Sequence, residues 1–291
     1  MRRFHADYAN RYGGIMAESS KWDTSNLFNK YWADIAVQGP QAGITLDPNI
    51  TPEDFKVYGD RLALRQVAMI DRHKHVPFEG ATIVDVGCGM GRTMRPYSSV
   101  FKKVIGTDIS AEILDQAKQY CSDRTNIEYL VGNGRDIPVA DNSVDVVYSG
   151  GVLQHIPSLD VIVNYFKEGI RILKPGGILN YCFQTWYTSR EGGVDGNRVG
   201  AQVTATDIEA AIKGLNVKVI SIVVDPKDPI PHMNVLLEKT SRPMSARKQK
   251  LKERKIHYQD VRTGIFEDLE SYSDFRHRWK TRKPHPVTFW Q

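Results

Sequence analysis

Ala81-Thr-Ile-Val-Asp85-Val-Gly87-Cys-Gly89-Met-Gly91-Arg92 is the stretch that decides the fold. Residues 81–86 are an apolar run suited to a strand buried on both faces. Glycines then recur at alternate positions where a strand turns into a helix. Glycine there admits positive φ and lets a ligand approach the backbone closely. The helix that follows is expected to offer unpaired N–H groups to a polar ligand. The spacing is GxGxG, with Arg92 standing where a dinucleotide fingerprint has its last glycine. Asp85 precedes the first glycine, where a carboxylate repels a pyrophosphate and welcomes a cationic ligand that carries an amino group.

Outward from this loop, strand and helix patterns alternate with short turns. Helical patterns cover 92–101, 111–123 and 161–173, and strand patterns cover 103–108, 127–132, 144–149 and 178–184. Such alternation marks a parallel, doubly wound sheet. One more helix is expected over 206–215. The runs 217–225 and 233–239 follow, joined by Pro226–His232, and so short a link forces an antiparallel pair. Upstream, Thr51 as N-cap, Pro52 at the first position and acids in the first turn predict a helix over 52–74. The expected class is therefore α/β: a Rossmann-like doubly wound sheet, mostly parallel with a final antiparallel pair. It would carry an N-terminal helical or lid region (1–79), a core (80–240) and a C-terminal basic extension (241–291).

Composition narrows the function. The chain of 291 residues has a net charge of +5. Residues 241–291 hold 13 Lys/Arg against 6 Asp/Glu, and the other 240 hold 26 against 28. The basicity belongs to the tail, so the body is not a general nucleic-acid binder. Cys88, Cys121 and Cys182 lack CxxC spacing, which argues against a zinc cluster or a disulfide framework. No His or carboxylate cluster has metal-ligand spacing, so no metal is expected. No apolar run approaches the ~18 residues of a membrane span, and no apolar run follows the basic N-terminus as in a signal peptide. A cytoplasmic location is the default expectation.

The second strand pattern ends in Asp108, 17 residues after Gly91. A carboxylate at that tip can accept from both hydroxyls of a ribose, while Ser110 is the better N-cap for the helix that follows. Together VDVGCGMGR, VIGTDIS, GNGRDIPVADNSVDVVYS, VLQHIP and RILKPGG resemble the class I S-adenosylmethionine-dependent methyltransferase superfamily, its small-molecule "type 11" group in particular. The likeness spans residues 80 to about 240. It implies S-adenosylmethionine as cofactor, with Asp85, Gly87 and Gly89 at the methionine end and Asp108 on the ribose. Ile109 would pack beside the adenine, Asn133 would accept from the adenine amino group through its carbonyl, and Gly134 would offer its N–H. Ser149 and Gly150 would border the methyl, and Lys174–Gly177 would form a structural turn.

For a hydroxyl acceptor a general base helps, and His155, just after the fourth strand, is the candidate, or else an orienting histidine of its turn. Gln154 is expected to touch the cofactor or orient that loop, and Tyr148 and Tyr187 to line the acceptor pocket or to pack. The chain lacks (D/N)PP(Y/F), which lowers the expectation of adenine or glutamine N-methylation. A weaker likeness of residues 51–64 and the VLQHIP turn to bacterial polysaccharide-building enzymes implies O-methylation of a sugar, glycan or other small molecule. The alternative is an RNA or protein methyltransferase that uses the basic tail, with RNA contacted through 242–255. A non-catalytic S-adenosylmethionine binder is the remaining class.

Overall fold

Strand β1 (Thr82–Val86) is buried at every position after Thr82, as a strand covered by helices on both faces must be. In the computed structural model, which describes residues 49–74, 76–156, 158–184, 201–224 and 232–242, it lies inside a seven-stranded sheet. The others are β2 (Lys103–Asp108), β3 (Ile127–Val131), β4 (Val144–Gly150), β5 (Leu173–Gln184), β6 (Val217–Val224) and β7 (His232–Lys239), in the spatial order β3-β2-β1-β4-β5-β7-β6. The pairs β1–β2, β2–β3, β1–β4 and β4–β5 are parallel. β7 runs antiparallel to both β5 and β6, as expected from the short link. The chain steps from β1 out to β3, then returns to β4 on the other side. That reversal opens a crevice at the carboxyl ends of β1 and β4.

Two cores sandwich the sheet. One face packs α1 (Pro52–His73) and α2 (Met94–Tyr97) on Ile83, Val104, Val146, Ile178 and Leu236, with Leu114 of α3 (Ala111–Tyr120) beside them. The other packs α4 (Leu159–Ile172) and α5 (Ala205–Ile212) on Val84, Val147, Leu179, Tyr181 and Val235. α1 starts as its sequence directs: the Thr51 side chain accepts from the Asp54 N–H, and Pro52 leads the first turn. It buries Phe55, Leu64, Val67 and Ile70, each contributing roughly 1.5–3 kcal/mol before entropy is charged. This helix is thus part of the core that the sheet folds around.

Two local expectations change. The helix foreseen over 92–101 shrinks to Met94–Tyr97, because Pro96 has no N–H to give the Arg92 carbonyl. Lys174–Gly177 lies inside β5 rather than before it: Leu173 pairs with Val144 and Ile178 with Val146, so the four residues bulge outward with Gly176 at φ +86°. The lid region over 1–48, the loop 185–200 with Tyr187, and the basic run 243–291 lie outside the described residues. Among the described residues, no helix is long and apolar enough to cross a membrane.

Candidate functional site

The crevice is built from three turns that pack against one another. The Gly87 and Cys88 amides both donate to the Thr107 carbonyl of β2, at 2.7 and 3.0 Å, and the Gly91 amide donates to the Cys88 carbonyl at 3.0 Å. The loop is therefore held by its own backbone, and it presents fewer amides to a ligand than the sequence implied. Gly87 has φ +70°, and a Cβ there would stand 2.4 Å from Val152 Cγ2. Only glycine lets the turn after β4 close this tightly onto the glycine loop.

Two carboxylates frame that loop. Asp85 is 2% exposed and accepts from the Thr93 hydroxyl at its Oδ2. Burial pushes its carboxyl up to about 7, against the pull of Thr93 and of Arg92. A cation arriving beside such an acid favours its ionised form. Asp108 is partly exposed at the tip of β2. Its Oδ2 accepts from the Gly89 amide at 3.0 Å and its Oδ1 from the Ser110 amide at 3.1 Å. Each oxygen keeps lone-pair capacity for a ligand hydroxyl. Burial raises this carboxyl too, with those amides opposing. Ser110 is the N-cap of α3, accepting from Ile113, which leaves Asp108 to the crevice.

The other expected residues fall into two groups. Ile109 and Gly134 do meet: a Cβ on Gly134, at φ +79°, would lie 3.7 Å from Ile109 Cγ2. Gly150 ends β4, and the Tyr148 hydroxyl occupies the place of its missing Cβ. In contrast, the Asn133 carbonyl already accepts from the Arg135 and Asp136 amides at 2.9 and 2.7 Å. Both of its lone pairs are taken, so in this geometry Asn133 shapes the 133–136 turn. The Ser149 hydroxyl is buried and donates to the Val86 carbonyl at 2.9 Å. It ties β4 to β1.

His155 sits in a 3-10 turn, Leu153–His155, directly after β4 and partly exposed. Gln154 in that turn accepts from the Gln184 amide at 2.9 Å, so it orients the end of β5. Tyr148 is buried against Tyr97 with ring centroids 5.7 Å apart, and it is a wall of the core beneath the crevice. Burial and the Arg65 charge act oppositely on Cys182, whose thiol is pushed up to about 11, far from the thiolate a nucleophile needs.

Several contributors escaped the sequence reading. Thr93 was hidden because its partner Asp85 lies eight positions back across a turn. The buried pair in which Asn180 Nδ2 donates to Gln66 Oε1 at 2.9 Å joins residues 114 apart, and no local pattern announces it. His232 was left in the link before β7, although it continues that strand's alternation to stand opposite Gln184.

Residues 84–180 match a family described as "Methyltransferase domain". Malonyl-[acyl-carrier protein] O-methyltransferase of Yersinia pestis is 32% identical over 116 residues, 40% of this chain and 39% of that protein. Ubiquinone biosynthesis O-methyltransferase of Mesorhizobium japonicum is 30% identical over 104 residues, 35% and 41% of the two chains. The chain thus spans about two-fifths of the length of these curated relatives. Among solved structures, a DhpI–SAH complex superposes with a TM-score of 0.50 at 18% identity, covering 73% of this chain and 95% of that one. Its sheet architecture is the one found here. Residues 84–180 are thus similar to methyltransferase domains that use S-adenosylmethionine, on a fold of the same class.

Proposed function

We propose that this chain transfers the methyl group of S-adenosylmethionine to an oxygen of a small-molecule acceptor, a sugar or glycan hydroxyl in the first place. One observation carries the reading: Asp85 and Asp108, on adjacent strand tips, flank a glycine loop whose Gly89 amide is bonded to Asp108. That arrangement suits a cationic amino acid at one end and a ribose at the other. The named relatives, both O-methyltransferases, support oxygen as the acceptor atom.

S-adenosylmethionine supplies a methyl carbon on a positively charged sulfur. Asp85 neutralises the ligand's α-amino group, and Asp108 accepts from the ribose hydroxyls. Gly134 and Ile109 border the base, Gly87 and Gly89 line the methionine end, and Gly150 at the end of β4 borders the methyl. Because the sulfur loses its charge during transfer, orientation and exclusion of water do most of the work. His155 takes the proton of the acceptor hydroxyl. Cys88, Cys121 and Cys182 are all free thiols, which fits a reducing compartment such as the cytoplasm.

The test is transfer from methyl-labelled S-adenosylmethionine to nucleotide sugars, glycans, phenols, carboxylates and RNA, alongside thermal shifts with S-adenosylhomocysteine and NAD. Label on hydroxyl acceptors and stabilisation by S-adenosylhomocysteine alone are expected. Label on RNA alone, or stabilisation by NAD alone, overturns the reading.

A further inference from the structure

One face of the sheet changes character along its length. Beneath α1, its amino-terminal half is apolar, with Ile83, Val104, Val146, Ile178 and Leu236. Two residues further along, β1, β4 and β5 carry Asp85, Tyr148 and Asn180, which are paired across the strands. Further still come Gly150, Cys182 and Asn234, then Gln184 opposite His232. The cofactor reading uses the β1 and β2 side of this polar half. The β5 and β7 side has no assigned task.

Gln184 is the residue of that side that reaches the edge. Its backbone N–H donates to the Gln154 carbonyl oxygen, 2.9 Å away, in the turn that bears His155. Its side-chain Nε2 meets His232 Nε2 at 3.5 Å. Its Oε1 is buried and has no hydrogen-bond partner among the described residues. Strand spacing and rise put its Cα about 8 Å from that of Gly150, one strand over and two residues beyond. A buried, unpaired amide oxygen beside the transfer point discriminates strongly: a ligand hydroxyl satisfies it, whereas an apolar or etherified ligand leaves it stranded.

We propose that Gln184 is the residue that reads the acceptor's hydroxyl, accepting its hydrogen bond at Oε1, with His232 as the positioning residue that holds the carboxamide in that orientation. The inference rests on the methyl-transfer reading above and names the acceptor class as a hydroxyl donor. For Gln184 Nε2–H to donate to His232, the ring must be neutral with its proton on Nδ1.

The test compares the full-length wild type with Gln184→Leu, Gln184→Glu and His232→Asn. Urea unfolding without cofactor is the first arm. Leu removes an unpaired buried oxygen together with one long contact to His232, so Q184L lowers the folding equilibrium constant by less than about fivefold, against the ~5- to 150-fold of a fully bonded buried glutamine. In the second arm, methyl α-glucoside and catechol are titrated into protein loaded with S-adenosylhomocysteine. Wild type binds one of them about 5- to 100-fold more tightly than Q184L, Q184E keeps part of the affinity, and affinity for S-adenosylhomocysteine does not change. Third, the ¹⁵N spectrum of the His232 ring shows the Nδ1–H tautomer in wild type and loses that bias in Q184L. A folding equilibrium constant lowered more than about fivefold in Q184L, equal binding of the hydroxyl probes to both, or an unchanged His232 spectrum overturns the proposal. Failure of wild type to bind S-adenosylhomocysteine overturns the methyl-transfer reading instead, and the urea arm still decides this one.

Discussion

Replacing Asp85 by Asn keeps the shape of the side chain and its acceptor oxygen for Thr93, and deletes one ionisable proton. In the free protein, burial lifts the Asp85 carboxyl from 3.8 to about 7. Between those values the folded protein holds a proton that the unfolded chain has released, so stability falls as pH rises through that window. At about 1.4 kcal/mol per pH unit the whole loss is ~4 kcal/mol, complete by pH 8 and absent below pH ~4. Asp85→Asn does not titrate. In urea it is expected to exceed wild type by up to ~4 kcal/mol at pH 8, with the two converging near pH 4. A ligand amino group narrows that gap, since the ionised carboxylate then gains a charged hydrogen bond of about 1.5–3 kcal/mol that Asn cannot supply. S-adenosylhomocysteine should therefore bind D85N about 10- to 150-fold more weakly at pH 8. Wild-type affinity should decline as pH drops below 7, because binding must then expel the proton, and the variant's profile should be flat. Urea melts from pH 4 to 8 and calorimetric titration with S-adenosylhomocysteine measure both. A D85N protein less stable than wild type at pH 8, or one that binds S-adenosylhomocysteine with wild-type affinity and pH profile, refutes the reasoning.

Gly87→Ala forces a Cβ to 2.4 Å from Val152 Cγ2 at φ +70°. It should weaken S-adenosylhomocysteine binding at least ~10-fold and cost about 1–3 kcal/mol in a thermal melt, with part recovered in the double variant with Val152→Ala. Gln66→Leu leaves the fully buried Asn180 amide donor without its acceptor. It should cost about 1–3 kcal/mol in urea and leave S-adenosylhomocysteine affinity within twofold. Arg171 donates to the Ile137 and Val139 carbonyls and pairs with Glu168 and Asp141. Arg171→Met should therefore lower stability by about 2–3 kcal/mol and speed amide exchange over residues 137–143 with little effect on cofactor affinity.

What the sequence disclosed and what it withheld follow from the range of each interaction. β2, β4 and the α3 cap were legible because strand burial and N-capping are encoded within a few residues. The antiparallel end of the sheet was legible because a short link admits one geometry. Asp85 and Asp108 were legible as carboxylates near the ends of their strands, and the structure has them there. Ser149 and Asn133 did not behave as their positions implied, because their polar atoms satisfy the Val86 carbonyl and the 133–136 turn first. Pairings such as Gln66 with Asn180, or Gln184 with His232, arise from register between distant strands and from where α1 lands. No window of a few residues contains them.

The reversed direction of β7 has a consequence for how this fold changes its preferences. Parallel strands leave the ligand edge by a helical crossover, so lengthening their links disturbs a packed layer. β6 ends at that edge with Val224 and β7 begins there with His232, so the link between them starts and finishes at one edge of the sheet. Doubling such a link adds only about 0.6 kcal/mol of closure entropy. A change of length in that link therefore leaves every described helix and every buried strand face as it is.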